Sequence, residues 1–330
     1  MLHAEAKTTA THRPPRLRSA QPGRRPDSEA DTQMPDVGSA PRIVVAKPSG
    51  RLANQLFMFA SLIAYAIDTG NRIYNPAFSE YGEFFVGTCR DPLCRVPRQR
   101  SLFSTGAAFA MMSRLGRLYF SLAKRMSSRF TVYRSGGFLT PLRDAIVAAK
   151  RDQSKILVLS EGRFHYGDNV LRYDSEIRDF LRPIKKHQLA VDEHLRVTRA
   201  RCEVLIGVHI RRGDFREYEG GQYVRSDRDF AEAMQRTECL FPGKKVTFLV
   251  CSDEPVDPLR FPGLDTVSGP GHFVEDLYSL AGADFLIGNP KSSYSMWASY
   301  YGDVPFCALD EFPDEVSLDS FRVVDLERGH

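Results

Sequence analysis

An α/β protein built on parallel sheets is what this sequence predicts, and three observations carry the prediction. Apolar runs of strand length end in polar or glycine-containing turns and are followed by helical patterns. This alternation occurs once after residue 41 and three times in the second half. The strands read as continuous apolar stretches, as expected where helices cover both faces of a sheet.

Taken in order, residues 1–40 are rich in Pro, Arg, Ser and Asp and poor in large apolar residues. They cannot bury enough surface to offset the entropy of ordering, so a disordered tail is expected. From Arg42 the pattern changes: "RIVVAK" reads as a strand, "PSGR" as a tight turn, and "LANQLFMFASLIAYAIDTG" as a helix ended by Gly70. "NRIYNP" is a second strand, which completes a βαβ unit. Residues 76–106 are turn-rich and carry no assignment. The stretch 107–130 is helical and basic, with Arg114, Arg117, Lys124 and Arg125 among apolar positions. It is read as packing its apolar face inward; lying on a membrane surface is the other use of such a pattern. "KILVLSEG" is a strand and "DSEIRDFLRPI" a short helix stopped by Pro183.

In the second half "CEVLIGVHIR", "KVTFLVCSD" and "FLIGNP" are strands. Each precedes a helix: "SDRDFAEAMQRTECLF", "FVEDLYSLAGADF" and "SYSMWASYYG". A polar helical connection, "KKHQLAVDEHLRVTRARCE", joins the halves. The expected domains are therefore 41–190 and 191–330. Ligands of such folds sit at the carboxyl ends of the strands, so the functional residues are sought there.

A chain of 330 residues suffices for two ordinary domains. A net charge of +4 suits an anionic small molecule or a membrane surface and does not call for nucleic acid. The six cysteines form no CxxC pair and no zinc-like spacing, which favours a reduced compartment; Cys89 and Cys94 are near enough in sequence to pair in an oxidising one. The apolar run 57–67 falls short of the roughly 20 residues of a membrane span, and no hydrophobic leader follows the basic start. A cytoplasmic protein is expected, with room for peripheral membrane contact. Nothing in the residues sets an oligomeric state.

Three strand ends in the second half carry polar residues. In "GVHIRRGDF", alternation puts His209 and Arg211 on one face of the strand and Arg212 on the other. One arginine can thus grip an anion while the other pairs with a carboxylate inside the fold. An ordinary salt bridge between Arg211 and Asp214 explains the same residues equally well. "VCSDEP" places Asp253 where a ribose or base can be held, or where a helix is capped. In "IGNPKSSYSMW", Ser292 and Ser293 begin a helix beside Lys291, and a helix start binds phosphate or simply needs a cap. In the first half "KPSGRLANQL" joins strand to helix through Gly50 and Arg51, with Asn54 and Gln55 near the helix start. It is neither a Walker loop nor GxGxxG. Asp227-Arg228-Asp229 has the DxD form that holds metal in many glycosyltransferases. Ser226 before it makes a helix cap the better reading, and no metal ligand is assigned.

In order and spacing, "GRLANQLFMFASLIAYAIDTGNRIY", "GVHIRRGDF" and "FLIGNPKSSYSMWASYYG" resemble the α-1,2-fucosyltransferase family, whose patterns run G-G-x-G-N-Q-x-F, H-x-R-R-G-D and N-S-x-F-S-W-W-A. "EGRFHYGDNVLRYDSEIRDFLRP" is similar to the family's aromatic segment. The α-1,6- and protein O-fucosyltransferases share the HxRR strand. The resemblance spans about 42–310. Ala53 stands where the family has its second loop glycine, Lys291 is extra, and Trp297 stands alone for the tryptophan pair.

The resemblance implies a GT-B-like fold of two Rossmann-like domains facing a cleft, with the acceptor on the N-terminal side. It also implies GDP-β-L-fucose as donor, a glycan hydroxyl as acceptor (a galactoside by the α-1,2 likeness), inversion, and no metal. Arg211 would hold the β-phosphate, with Arg212 also counted among the donor-binding residues and His209 and Asp253 near the guanosine. Ser292 and Ser293 would donate to the phosphates, and Gly50, Arg51, Asn54 and Gln55 would face them. Asp214, Glu217 and Glu219 are the candidate bases. Another nucleotide sugar, or binding of a glycan or nucleotide without turnover, are the competing expectations.

Overall fold

The computed structural model of the chain describes residues 41–99, 111, 114–115, 118, 130–167, 169–257 and 260–325. The tail 1–40 and most of the basic segment 107–130 lie outside the described residues.

Two five-stranded sheets organise the chain. The first comprises β1 (Arg42–Val45), β2 (Ile73–Tyr74), β3 (Arg95–Val96), β4 (Phe130–Pro141) and β5 (Ile156–His165), in the order β3-β2-β1-β5-β4. The second comprises β6 (Val204–Ile210), β7 (Val246–Ser252), β8 (Thr266–Ser268), β9 (Phe285–Gly288) and β10 (Phe306–Ala308), in the order β10-β9-β6-β7-β8. All pairs in the second sheet are parallel, with Val208 opposite Val250 and His209 opposite Gly288. The first departs from the expected parallel sheet at one edge, where β3 runs antiparallel to β2. β6 is buried at every position, which accounts for its unbroken apolar sequence.

The helices are α1 (Leu52–Thr69), α2 (Leu142–Arg151), α3 (Asn169–Arg172), α4 (Asp174–Phe180), α5 (Lys185–Arg199), α6 (Asp227–Glu238), α7 (Phe273–Leu280) and α8 (Ser293–Gly302). α1 ends where the sequence says it should, at Gly70, whose φ of +68 closes the helix in the left-handed region. By length and composition α1 is apolar enough to cross a membrane, beyond what the run 57–67 suggests, yet 72% of it is buried within the fold. The strand β4 and the helix α2 are additions to the sequence reading, as are β8 and β10. The segment 76–84 forms two 3₁₀ turns. α5 carries the chain from one sheet to the other; His187 on it contacts Glu275 at 2.7 Å and stacks on His272, both from the start of α7.

The capping box expected at Ser226 is present. The Ser226 hydroxyl accepts from the Asp229 N–H (3.2 Å), and the Asp229 carboxylate accepts from the Ser226 N–H (2.8 Å). Trp297 is fully buried, edge-on to Phe57 at 5.2 Å, so α8 of the second sheet packs against α1 of the first. The six cysteines are free thiols.

Candidate functional site

The order of each sheet locates the site. In the second sheet the chain goes from β6 to β7 and β8 on one side, then crosses to β9 on the other. In the first it goes from β1 to β2 on one side and returns to β5 on the other. The connections after β6 and β9, and after β1 and β5, therefore diverge and leave a crevice at each carboxyl edge. Both crevices open into one cleft of about 960 Å³. Ser49, Gly50, Arg51 and Asn54 line it after β1, and Gly162, Phe164 and His165 line it at β5. Arg211, Asp214 and Phe215 line it after β6, and Lys291 and Ser293 after β9.

At the centre stands an ion pair. The Arg211 Nε and Nη2 donate to the two Asp214 oxygens at 3.0 and 2.8 Å, and its guanidinium lies 4.7 Å over the Phe215 ring. The salt bridge weighed against ligand binding is therefore real. It is not closed inside the fold, because both partners line the cleft and Asp214 keeps 35% of its side chain exposed. Arg51 approaches the same carboxylate from the first sheet, at 3.5 Å. Burial alone would raise the Asp214 carboxyl; the Arg211 hydrogen bonds and the charges of Arg211 and Arg51 outweigh it and hold the group below its ordinary value. Asp214 is thus ionised and a weak base. Of five guanidinium donors on Arg211, two are committed to Asp214 among the described residues.

The sequence-predicted residues fall into three groups: lining the cleft, buried behind it, and, for Asp253 and Glu217, exposed away from its lining. Gly50, Arg51, Asn54, Ser293, Arg211 and Asp214 are brought together around the cleft. Gly50 needs its positive φ of +66, and a Cβ there would meet the Asn54 Nδ2 at 2.3 Å. His209, Arg212, Ser292 and Gln55 stand behind that surface and are buried. Arg212 pairs with Asp227, which Arg260 also reaches, so the DxD aspartates are occupied by Arg212 and by the helix cap. Arg212 thus pairs with a carboxylate inside the fold and is not among the residues lining the cleft, so it does not stand where the donor-binding role expected of it would need it. Gln55 donates to the Gly50 carbonyl (3.0 Å) and pins the turn. His209 shares its Nδ1 with Ser295 (2.8 Å) and Ser292 (3.3 Å) and stacks on Tyr294. Burial, with help from the Arg211 charge, pushes His209 down to about 3, so it is neutral. Asp253 is exposed at the end of β7, where one oxygen accepts from the Arg212 N–H at 2.9 Å.

Several residues in or directly behind the cleft escaped the sequence reading. Asn289, fully buried, accepts from the Arg211 N–H (2.6 Å) and donates to the Tyr223 carbonyl (2.9 Å). It fixes the β6 and β9 ends across their crevice. A polar residue directly after the apolar run "FLIG" was the available signal. Phe215, Tyr218 and Tyr223 form an aromatic wall, and "FREYEGGQY" after a strand was its signal. Glu219 in this wall accepts from the Tyr223 hydroxyl (2.8 Å) and the Gln222 amide (2.8 Å), both at Oε2. Glu217 is not among the residues lining the cleft. Glu219 and Lys291, both cleft residues, take positive φ of +45 and +54, as Cys94, Gln153 and Asp303 do away from the cleft.

No protein-family model matches the chain, and no curated protein matches it in sequence. Solved structures do. An Arabidopsis thaliana FUT1 mutant in complex with GDP is similar at a TM-score of 0.51 and 12% identity, over 86% of this chain and 74% of that one. NodZ α-1,6-fucosyltransferase co-crystallised with GDP is similar at 0.51 and 14%, over 81% and 94%. The same enzyme soaked with GDP-fucose is similar at 0.50 and 15%, over 85% and 97%. At these identities the likeness is one of fold: the chain has the GT-B architecture of fucosyltransferases.

Proposed function

We propose that the protein transfers L-fucose from GDP-β-L-fucose to a glycan hydroxyl with inversion, without a metal. The second sheet takes the nucleotide sugar and the first faces the acceptor. The observation that carries this reading is the meeting of Arg211 with Arg51 and Lys291 around one cleft at two strand switch points, in a fold shared with fucosyltransferases solved with GDP.

The diphosphate enters against the uncommitted donors of Arg211, the Lys291 ammonium and the start of α8 at Ser293. Asp253, exposed at the end of β7, belongs to the nucleoside side; His209, buried behind the cleft surface, acts there only through Ser292 and Ser295. The acceptor oxygen attacks the anomeric carbon from the face opposite the phosphate. As that bond forms, the carbon–oxygen bond to the β-phosphate breaks and its electron pair passes to the diphosphate. Charge grows there in the transition state, so a fixed guanidinium lowers the barrier more than it tightens binding. Asp214 keeps Arg211 aimed. The acceptor proton passes to Glu219, whose Oε1 is left open by the two hydrogen bonds on Oε2.

Calorimetry with GDP and GDP-fucose, together with transfer assays, tests this. The wild type is expected to bind GDP, and Arg211→Ala to lose affinity and roughly 10²–10³ in rate. Glu219→Gln is expected to keep GDP affinity and lose roughly 10²–10⁴ in transfer. A wild type that ignores GDP, or an Arg211→Ala variant with unaltered binding and transfer, overturns the assignment. Turnover with another nucleotide sugar alone points to the competing donor.

A further inference from the structure

In the wall formed by Phe215, Tyr218 and Tyr223, Phe215 lies under the Arg211 guanidinium, while Tyr218 and Tyr223 have no role in the diphosphate grip described above. The Phe215 and Tyr218 rings stack at 5.8 Å and 23°, and Tyr218 and Tyr223 lie 5.9 Å apart at 32°. The loop that carries them is braced at three points. The Tyr223 hydroxyl donates to Glu219 at 2.8 Å, and Asn289 holds the Tyr223 carbonyl at 2.9 Å. Glu219, Gly220 and Gly221 all take positive φ, and a Cβ on Gly221 would meet the Arg216 carbonyl at 3.0 Å. Even so, Tyr218 leaves 43% of its surface exposed, and it does so inside the cleft. A rigid aromatic ring offered to solvent in a concave site is a ready binding surface, because little side-chain freedom remains to be lost.

Position tells which ligand it serves. The Arg211 guanidinium lies 4.7 Å from the Phe215 ring centre, and Phe215 lies 5.8 Å from Tyr218, so Tyr218 is one ring removed from the arginine proposed to bind phosphate, and both line the same cleft. A nucleobase is separated from the reacting carbon by a ribose and two phosphates. Phe57, Met58 and Phe164 of the first sheet line the same cleft and add apolar surface.

We propose that Tyr218, backed by Phe215 and Tyr223, is the platform on which the acceptor sugar lies, the C–H face of a pyranose against the ring and its hydroxyls turned toward Glu219. This rests on the fucosyl-transfer reading above and names the acceptor's chemical class: a pyranoside with one apolar face, rather than a protein hydroxyl. The ring, not the phenol, does the binding.

The test uses the full chain, GDP-fucose and a panel of methyl glycosides (β-galactoside, β-glucoside, α-mannoside and β-N-acetylglucosaminide). Tyr218→Ala is expected to raise the acceptor KM about tenfold, while GDP affinity measured by calorimetry stays at the wild-type value. Tyr218→Phe is expected to restore the wild-type KM. An unchanged KM in Tyr218→Ala overturns the platform, and so does a matching loss of GDP affinity, which would make the ring a nucleobase stack. GDP binding with turnover of no glycoside in the panel also overturns it while leaving the nucleotide site standing. Failure of GDP to bind overturns the underlying reading instead.

Discussion

His209 shows how far a residue's role depends on what is packed against it. From sequence it is one of several polar groups at a strand end. In the fold it is sealed beneath Tyr294 and held by Ser295 and Ser292, with the Arg211 charge nearby. Desolvation, then that charge, lowers its pKa from 6.5 to about 3. Its pH dependence follows. Between those values the unfolded chain binds a proton that the folded site refuses. Stability from this group is complete above 6.5 and declines as pH falls through the window. By pH 5 the loss amounts to about 2 kcal/mol. Urea midpoints for wild type and His209→Gln at pH 7 and pH 5 measure it, with the variant expected to have the shallower acid slope. Equal slopes would mean that His209 titrates normally. The same scale shows what sequence could not reveal. That Arg211 and Arg212 leave the strand on opposite faces is readable from strand alternation. That Asn289 holds Arg211 is not, since the two lie 78 residues apart and meet only because β9 crosses beside β6.

At the level of elements, legibility followed burial. β6, β7 and β9 are buried through almost their whole length, so their apolar runs stood out. β4 did not. Its sequence "FTVYRSGGFLTP" carries breaker residues in the middle, and its pairing with β5 shifts register twice, at Tyr133/Arg134 and Arg134/Leu139. Irregular pairing permits a sequence that no alternation rule would pick out. The start of α6 was read correctly because a cap is local: Ser226 and Asp229 need only each other. Ser226→Ala should cost about 1 kcal/mol of stability, seen as a lower urea midpoint, with turnover per folded molecule unchanged. A loss of turnover without a loss of stability would return the DxD aspartates to the chemistry.

Across the whole molecule, the cleft works only if the two sheets keep their spacing, because Arg51 after β1 and Arg211 after β6 both reach the Asp214 carboxylate. The fold secures this in two ways. One apolar core runs through both halves, from Ile43 and Leu157 to Leu205, Leu249 and Trp297. Arg178 on α4 also binds the end of α8, donating to the Tyr301 carbonyl at 2.6 Å and to Asp303 at 2.7 Å, beneath the Tyr300 ring at 5.2 Å. Two sheets that share a core should melt together. Trp297, the chain's sole tryptophan, sits at the α1–α8 seam, so its fluorescence reports the seam while far-ultraviolet circular dichroism reports all the helices and strands. The two signals are expected to follow one denaturation curve, and saturating GDP to move both by the same amount. If fluorescence changes first, the halves part before they unfold. The cleft would then be a hinge between separable domains, and the geometry around Asp214 one state of an opening and closing pair.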